Sequence, residues 1–375
     1  MKVLSVFGTR PEAIKMAPVV KALSAADDME SVVCVTAQHR DMLDQVLGIF
    51  NIVPDEDLDL MTPGQSLHAL TARVLVGMQT VLERHQPDVV LVHGDTTTTL
   101  ATALAAFYAQ IPVGHVEAGL RTGDMSAPFP EEANRVLADR ICHFYFPPTQ
   151  RSADNLLAEG LPADRIWNTG NTVIDALFWV RDAMKDTTFS PEIYGSASPF
   201  IQEKNTQILL VTGHRRESFG GGFERICQAL SNLAQRYPSL QIVYPVHLNP
   251  KVQEPVHRHL SHFDNIHLIR PLEYPDFVRL MDRAHIILTD SGGIQEEAPA
   301  LDKPTLVMRD VTERPEGIAA GVVKLVGTQS STITEAVSNL LDHPNAYAQM
   351  QQAVNPYGDG QASIRIVDAL RGVSL

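Results

Sequence analysis

The sequence predicts an α/β protein made of two Rossmann-like, doubly wound domains. Three observations point there. The chain has 375 residues, more than one ordinary hydrophobic core accommodates. Short apolar runs alternate with longer stretches of helical periodicity from one end to the other. Polar or Gly-rich segments follow those runs, where open parallel sheets bind their ligands.

Val3–Phe7 reads as the first strand, and Pro11–Ser24 as a helix with proline at its start and apolar residues at helical spacing. Val32–Thr36 is the next strand. Ser66–Arg84 is a long amphipathic helix, Asp88–His93 a strand, Thr96–Ala109 an Ala- and Thr-rich helix and Pro112–Val116 a strand. His143–Pro147 and the helix Gln150–Glu159 continue the alternation. Strands separated by helices of about 10–15 residues build βαβ units and parallel sheets. The segment Asp186–Asn205 has poor periodicity, and the alternation restarts beyond it. Strands are expected at Gln207–Thr212, Gln241–Val246, Ile266–Ile269, His285–Thr289 and Thr305–Met308, with a helix at Phe223–Arg236. The expected domains are 1–170 and 171–360. A last helix, 361–375, follows the turn-rich Asn355–Gly360, and composition alone does not say where it packs.

Composition narrows the function. A formal charge of −14 sets up a field that repels nucleic acid and anionic membranes, while leaving room for a small anionic ligand in a local basic cluster. Cys34, Cys142 and Cys227 are too few and scattered for a disulfide framework or a cysteine zinc site. The N-terminus lacks the three regions of a signal peptide, and no apolar stretch reaches membrane-spanning length, so the expected location is the cytoplasm. The 14 histidines show no metal-ligand spacing, and no metal or cofactor is expected.

The strand ends carry the chemistry. Asp290-Ser291-Gly292-Gly293 precedes a helix start, and its glycines permit the close backbone approach of a phosphate cradle. Ser291 can cap that helix and bind a phosphate oxygen, and Glu296 or Glu297, one turn on, can take both hydroxyls of a ribose. The alternative is a plain capped helix. Gly8-Thr9-Arg10 lacks the Gly-x-Gly-x-x-Gly dinucleotide pattern, and no Walker loop is present; Arg10 can instead clamp a diphosphate, assisted by Lys15. His214 beside Arg215 and Arg216 suits a phosphate leaving group. Asp95, Glu117 and Glu131 supply carboxylates. Asp95 ends a very apolar strand, where burial raises a carboxyl pKa, but it can also cap the following helix; Glu131 sits at a helix start, where dipole energy alone favours Glu.

Together these segments resemble the non-hydrolysing UDP-N-acetylglucosamine 2-epimerases. The resemblance runs in order through Phe7–Lys15, His93–Thr98, Gly114–Arg121, Pro130–Arg135, Gly213–Glu217, Asp290–Glu297, Arg309–Glu316 and Asn355–Gly360. It implies a GT-B-type fold with an interdomain active-site cleft and the last helix, 361–375, packing back on the first domain, a homodimer, and supply of UDP-N-acetylmannosamine for bacterial surface polysaccharide. It implies that UDP leaves the anomeric carbon, giving 2-acetamidoglucal, and re-adds with protonation on the other face of carbon 2. Asp95, Glu117, Glu131 and His214 would then be catalytic. Arg10, Lys15, Arg135, Arg215, Ser291, Gly292, Gly293, Glu297 and Arg314 would bind substrate. A second UDP-N-acetylglucosamine would act as an allosteric activator at Gln38, Arg215 and His247, although Asp41 and Gly64 depart from the Gram-positive pattern. The alternatives are a retaining GT-B glycosyltransferase, a hydrolysing epimerase and a non-catalytic nucleotide-sugar sensor.

Overall fold

The computed structural model describes residues 1–36, 40–60, 62, 64–215 and 219–373. It contains two compact units, Met1–Trp179 with Tyr357–Leu375, and Val180–Pro356. A division near 170 is expected from the sequence; in the structure it falls between Trp179 and Val180, within the helix Thr172–Ala183.

The first unit holds β1 (Lys2–Phe7), β2 (Glu30–Val35), β3 (Glu56–Asp57), β4 (Val89–His93), β5 (Val113–Val116) and β6 (Phe144–Phe146), ordered β3-β2-β1-β4-β5-β6. The second holds β7 (Ile208–Thr212), β8 (Gln241–Pro245), β9 (Ile266–Ile269), β10 (Ile286–Thr289), β11 (Thr305–Val307) and β12 (Val323–Leu325), ordered β12-β11-β10-β7-β8-β9. Every pairing is parallel. Counted from its own first strand, each sheet has the same order, reversing direction between its first and fourth strands. Those reversals, β1/β4 and β7/β10, are the crevices where doubly wound folds bind ligands.

Central strands buried on both faces explain why the apolar runs are continuous rather than alternating. Val89, Val90, Leu91 and Val92 are wholly buried, as are Ile208 through Val211. Each such side chain contributes about 1.5–3 kcal/mol of burial. β3 and β12 escaped the sequence reading because two or three residues at a sheet edge, Glu56-Asp57 and Val323-Lys324-Leu325, carry too little apolar pattern.

The helix Ala362–Gly372 packs on the helix Arg10–Ser24. Ile366, Val367 and Leu370 are buried, and Asp175 accepts bonds from the backbone of Ala362 and Ser363 and from the Ser363 hydroxyl. Arg371 adds an ion pair to Asp28. Among the described residues, no helix is long and apolar enough to cross a membrane.

Candidate active site

In the first unit, the crevice between β1 and β4 is organised by Glu12, which the sequence reading passed over. Its buried carboxylate accepts the backbone N–H of Gly8 at 2.9 Å and of Thr9 at 2.8 Å through one oxygen. The other oxygen accepts the Thr96 hydroxyl at 2.6 Å. One anion therefore ties the turn that carries Arg10 to the turn that carries Asp95. A side chain at Gly8 would not fit, because its Cβ would fall 2.0 Å from Thr36 Oγ1.

Thr96, not Asp95, caps the helix Thr97–Tyr108: its hydroxyl accepts the Thr99 N–H. This corrects the capping alternative and leaves the Asp95 carboxylate for other work. Asp95 lies 3.6 Å from Arg135 Nη1, and Asn134 donates to its carbonyl. Burial raises the Asp95 carboxyl above its ordinary value; Arg135 opposes that, and the charge of Glu117 reinforces it.

Glu117 follows β5 with φ +65°, a left-handed conformation that costs a non-glycine residue about 1–2 kcal/mol. Lys15 is hydrogen-bonded to its carboxylate, and His93 Nε2 stands 3.7 Å away. Burial works against ionisation of Glu117, yet Lys15 and His93 outweigh it and hold the carboxyl well below the usual range. Neither ring nitrogen of the buried His93 has a hydrogen-bond partner. Glu131 begins the helix Glu131–Ile141, and one of its carboxylate oxygens is buried without a partner. Its neighbour Glu132 is spent on structure, receiving the N–H groups of Thr122 and Gly123 and pairing with Arg135.

Behind these turns lies a second network the sequence did not reveal. His115 is wholly buried, with Nδ1 2.6 Å from Asp139 and Nε2 2.7 Å from the Gly94 carbonyl. Asp139 also receives Arg121, which pairs in turn with Glu159. Burial opposes the charge on each, but the partner wins: Asp139 raises His115, and His115 with Arg121 lowers Asp139. A raised histidine stabilises the fold fully below its unfolded pKa of about 6.5, and that stability is lost as pH rises through the folded value. A lowered aspartate stabilises fully above about 4, and that is lost as pH falls through the folded value. The stability advantage of the protein over Asp139→Asn is therefore expected to be greatest at about pH 4–6.5 and to shrink on either side. Denaturant titrations across pH 3–9 measure this; a flat difference would refute it.

In the second unit, the fully buried Asp290, at the end of β10, accepts the backbone N–H groups of His214 at 2.7 Å and Arg215 at 2.8 Å. It plays for the β7 turn the part Glu12 plays for the β1 turn. The His214 ring lies 3.3 Å from the other Asp290 oxygen and stacks on His247, centroids 5.7 Å apart and 17° between planes. His247 is exposed, and its Nδ1 accepts the Asn249 N–H. Gln38 and Arg216 lie outside the described residues.

The helix after β10 starts at Ile294 with Gly293 as its N-cap, so Ser291 does not cap it. The serine stands two residues before the cap, its own N–H held by the Thr289 hydroxyl. Gly292 approaches Arg215: a Cβ there would lie 3.5 Å from Nη2. Of the two expected ribose ligands, Glu296 is buried and bonded to Arg314, whereas Glu297 is half-buried beside Gly293. Gln295 joins the loop at Ser291 to Thr312, and Arg309 pairs with Glu313, holding that carboxyl at about 2 against the cost of its burial. Arg215, His214, Ser291, Gly292 and Gly293 thus share one crevice of the second unit; Arg10, Lys15, Asp95, Glu117 and Arg135 share one of the first. Among the described residues no group of three or more His, Cys, Asp or Glu side chains could hold a metal ion.

Two doubly wound sheets, each with polar strand–helix turns at its reversal point, define an α/β protein of the GT-B type. The family model described as UDP-N-acetylglucosamine 2-epimerase matches residues 21–371. The chain belongs to the UDP-N-acetylglucosamine 2-epimerase family. It is 61% identical over 371 residues to the UDP-N-acetylglucosamine 2-epimerase of Yersinia pestis, covering 99% of this chain and 98% of the relative. The crystal structure of the Neisseria meningitidis UDP-GlcNAc 2-epimerase bound to UDP-GlcNAc matches all of both chains at 52% identity, with a TM-score of 0.87. The Methanocaldococcus jannaschii enzyme in complex with UDP-GlcNAc and UDP matches at 32% identity and TM-score 0.76 over 99% of each chain.

Proposed function

We propose that the protein interconverts UDP-N-acetylglucosamine and UDP-N-acetylmannosamine by losing and re-adding UDP. The proton on carbon 2 is too weakly acidic to leave a free carbanion. Departure of the diphosphate solves this by drawing electron density from the anomeric carbon as the proton goes, leaving 2-acetamidoglucal. Fixed donors then have the main task, stabilising negative charge on the leaving group. Arg10, Arg215, His214, Ser291 and the backbone of Gly292 and Gly293 serve it, with Arg314 supporting Glu296 and Glu297 taking the ribose.

The reading is supported most by the contrast between two carboxylates of one crevice, Asp95 raised and Glu117 held anionic. Environments that separate two acids assign them different work. Asp95, partly exposed and raised, is suited to exchange a proton with carbon 2, and the unpartnered oxygen of Glu131 is suited to serve the opposite face. Glu117, fixed by Lys15, is too weak a base for that step. It places a negative charge that favours the electron-poor anomeric carbon in the transition state, and Arg135 keeps Asp95 in place. A second UDP-N-acetylglucosamine, bound at Gln38, Arg215 and His247, activates; the enzyme acts as a cytoplasmic homodimer feeding polysaccharide synthesis.

Incubation with UDP-N-acetylglucosamine alone in deuterated water tests the chemistry. The expected result is deuterium at carbon 2 of both epimers with the nucleotide sugar intact. No exchange would overturn the reading in favour of a transferase or a sensor, and release of free N-acetylmannosamine would indicate a hydrolase.

A further inference from the structure

We infer that His115 is a positioning residue, a buried imidazolium that, with Asp139, sets the backbone carrying Asp95 against the backbone carrying Glu117. The inference rests on the proposed reading that both carboxylates act on the sugar.

Protonation follows from geometry. The Gly94 carbonyl and the Asp139 carboxylate carry no hydrogen, yet they lie 2.7 and 2.6 Å from the two ring nitrogens. With Asp139 ionised, as the ion pair with Arg121 favours, both nitrogens donate, which only the imidazolium can do. Through these bonds the pair holds both turns. His115 grips Gly94, the residue before Asp95, and Asp139 takes the N–H of Gly119, two residues beyond Glu117, at 3.3 Å. Arg121 supplies Asp139 with a second cation and is tied by Glu159.

The backbone around the two carboxylates needs such a clamp. Gly94, Glu117 and Gly119 have φ of +67°, +65° and +84°, so left-handed residues stand next to one carboxylate and on both sides of the other's turn. Strained backbone persists only where its surroundings over-determine it. Stability alone would be served as well by a hydrocarbon at this fully buried site, because exchanging a buried ion pair for apolar groups is often neutral or stabilising. What a hydrocarbon cannot supply is a fixed distance between two turns.

Three variants test this. His115→Leu removes both donors; turnover is expected to fall about 100-fold, as for a displacement of about 1 Å, with UDP affinity within about threefold. Asp139→Asn leaves a neutral His115 that still donates to Gly94 while accepting from the asparagine amide, and is expected to keep turnover within about fivefold of the parent. Gly94→Ala, at a position where an added Cβ meets nothing within 4 Å, strains the turn without a clash. It is expected to lose turnover like His115→Leu, and it carries the test should that variant not fold. Turnover within threefold of the parent in His115→Leu or Gly94→Ala, or UDP affinity falling in step with turnover, would overturn the inference. Nitrogen-15 spectra of histidine-labelled parent protein read the ring directly. Both His115 nitrogens protonated at pH 7 support the imidazolium, and a neutral ring overturns that part of the inference even if the parent proves not to be an epimerase. Failure of the parent to exchange the carbon 2 proton counts against the proposed function alone.

Discussion

Replacing Asp95 by asparagine is expected to lower turnover about a thousandfold while leaving UDP affinity within about threefold. The amide is close in shape and can keep its place beside Arg135, so the change removes proton exchange and little else. Arg10→Ala provides the contrast, because a residue that grips the diphosphate should weaken UDP binding and turnover together. Deuterium exchange at carbon 2 should vanish with turnover in Asp95→Asn. If exchange survives while net epimerisation stops, Asp95 serves the second face only. If both survive within tenfold, the role given to it here is wrong.

Gly119→Ala is expected to destabilise the first unit by at least about 3 kcal/mol. Its Cβ would stand 2.2 Å from the Ser152 carbonyl oxygen and 2.9 Å from Leu156 Cγ, at a φ of +84° that alanine resists. The obstacle is backbone inside the helix Gln150–Ala158, which cannot swing aside as a long side chain would. Gly123→Ala separates the two causes: φ there is +81°, but an added Cβ meets nothing within 4 Å. That variant should lose only the conformational part, about 1 kcal/mol. Urea unfolding of both measures the difference, and equal losses would mean that the contact with Ser152 relaxes.

The strand ends were legible in the sequence because β1, β4, β5, β7 and β10 are mostly apolar runs that give way abruptly to polar or Gly-rich turns. Gly8, Asp95, Glu117, His214 and Ser291 interrupt a hydrophobic pattern, and that contrast needs no structure to see. Sheet order was not legible; it depends on which crossover passes over which strand. The supporting carboxylates were hidden for another reason. Glu12 in a first helical turn looks like an ordinary response to the helix dipole, and only the three-dimensional fold shows it collecting bonds from Gly8, Thr9 and Thr96. His115 lies inside a strand and Asp139 inside a helix, 24 residues apart, and no spacing rule joins them. Helix starts were the weakest point: Ser291 has the right chemistry for a cap, but the helix begins two residues after the place that chemistry suggests.

The unit that carries Asp95 and Glu117 is assembled from both ends of the polypeptide, with residues 180–356 lying between them in the chain. A ribosome therefore delivers its parts at different times. At about 5–20 residues per second, the 177 residues from 180 to 356 take on the order of 10–35 s to appear. Throughout that interval the face of the helix Arg10–Ser24 that packs on the helix Ala362–Gly372 has no cover of its own. The later unit, being continuous, can finish first. A nascent chain released before Ala362 would present one completed unit and one with an apolar seam open to chaperones and proteases, so damage to the helix Ala362–Gly372 reaches the helix that begins at Arg10.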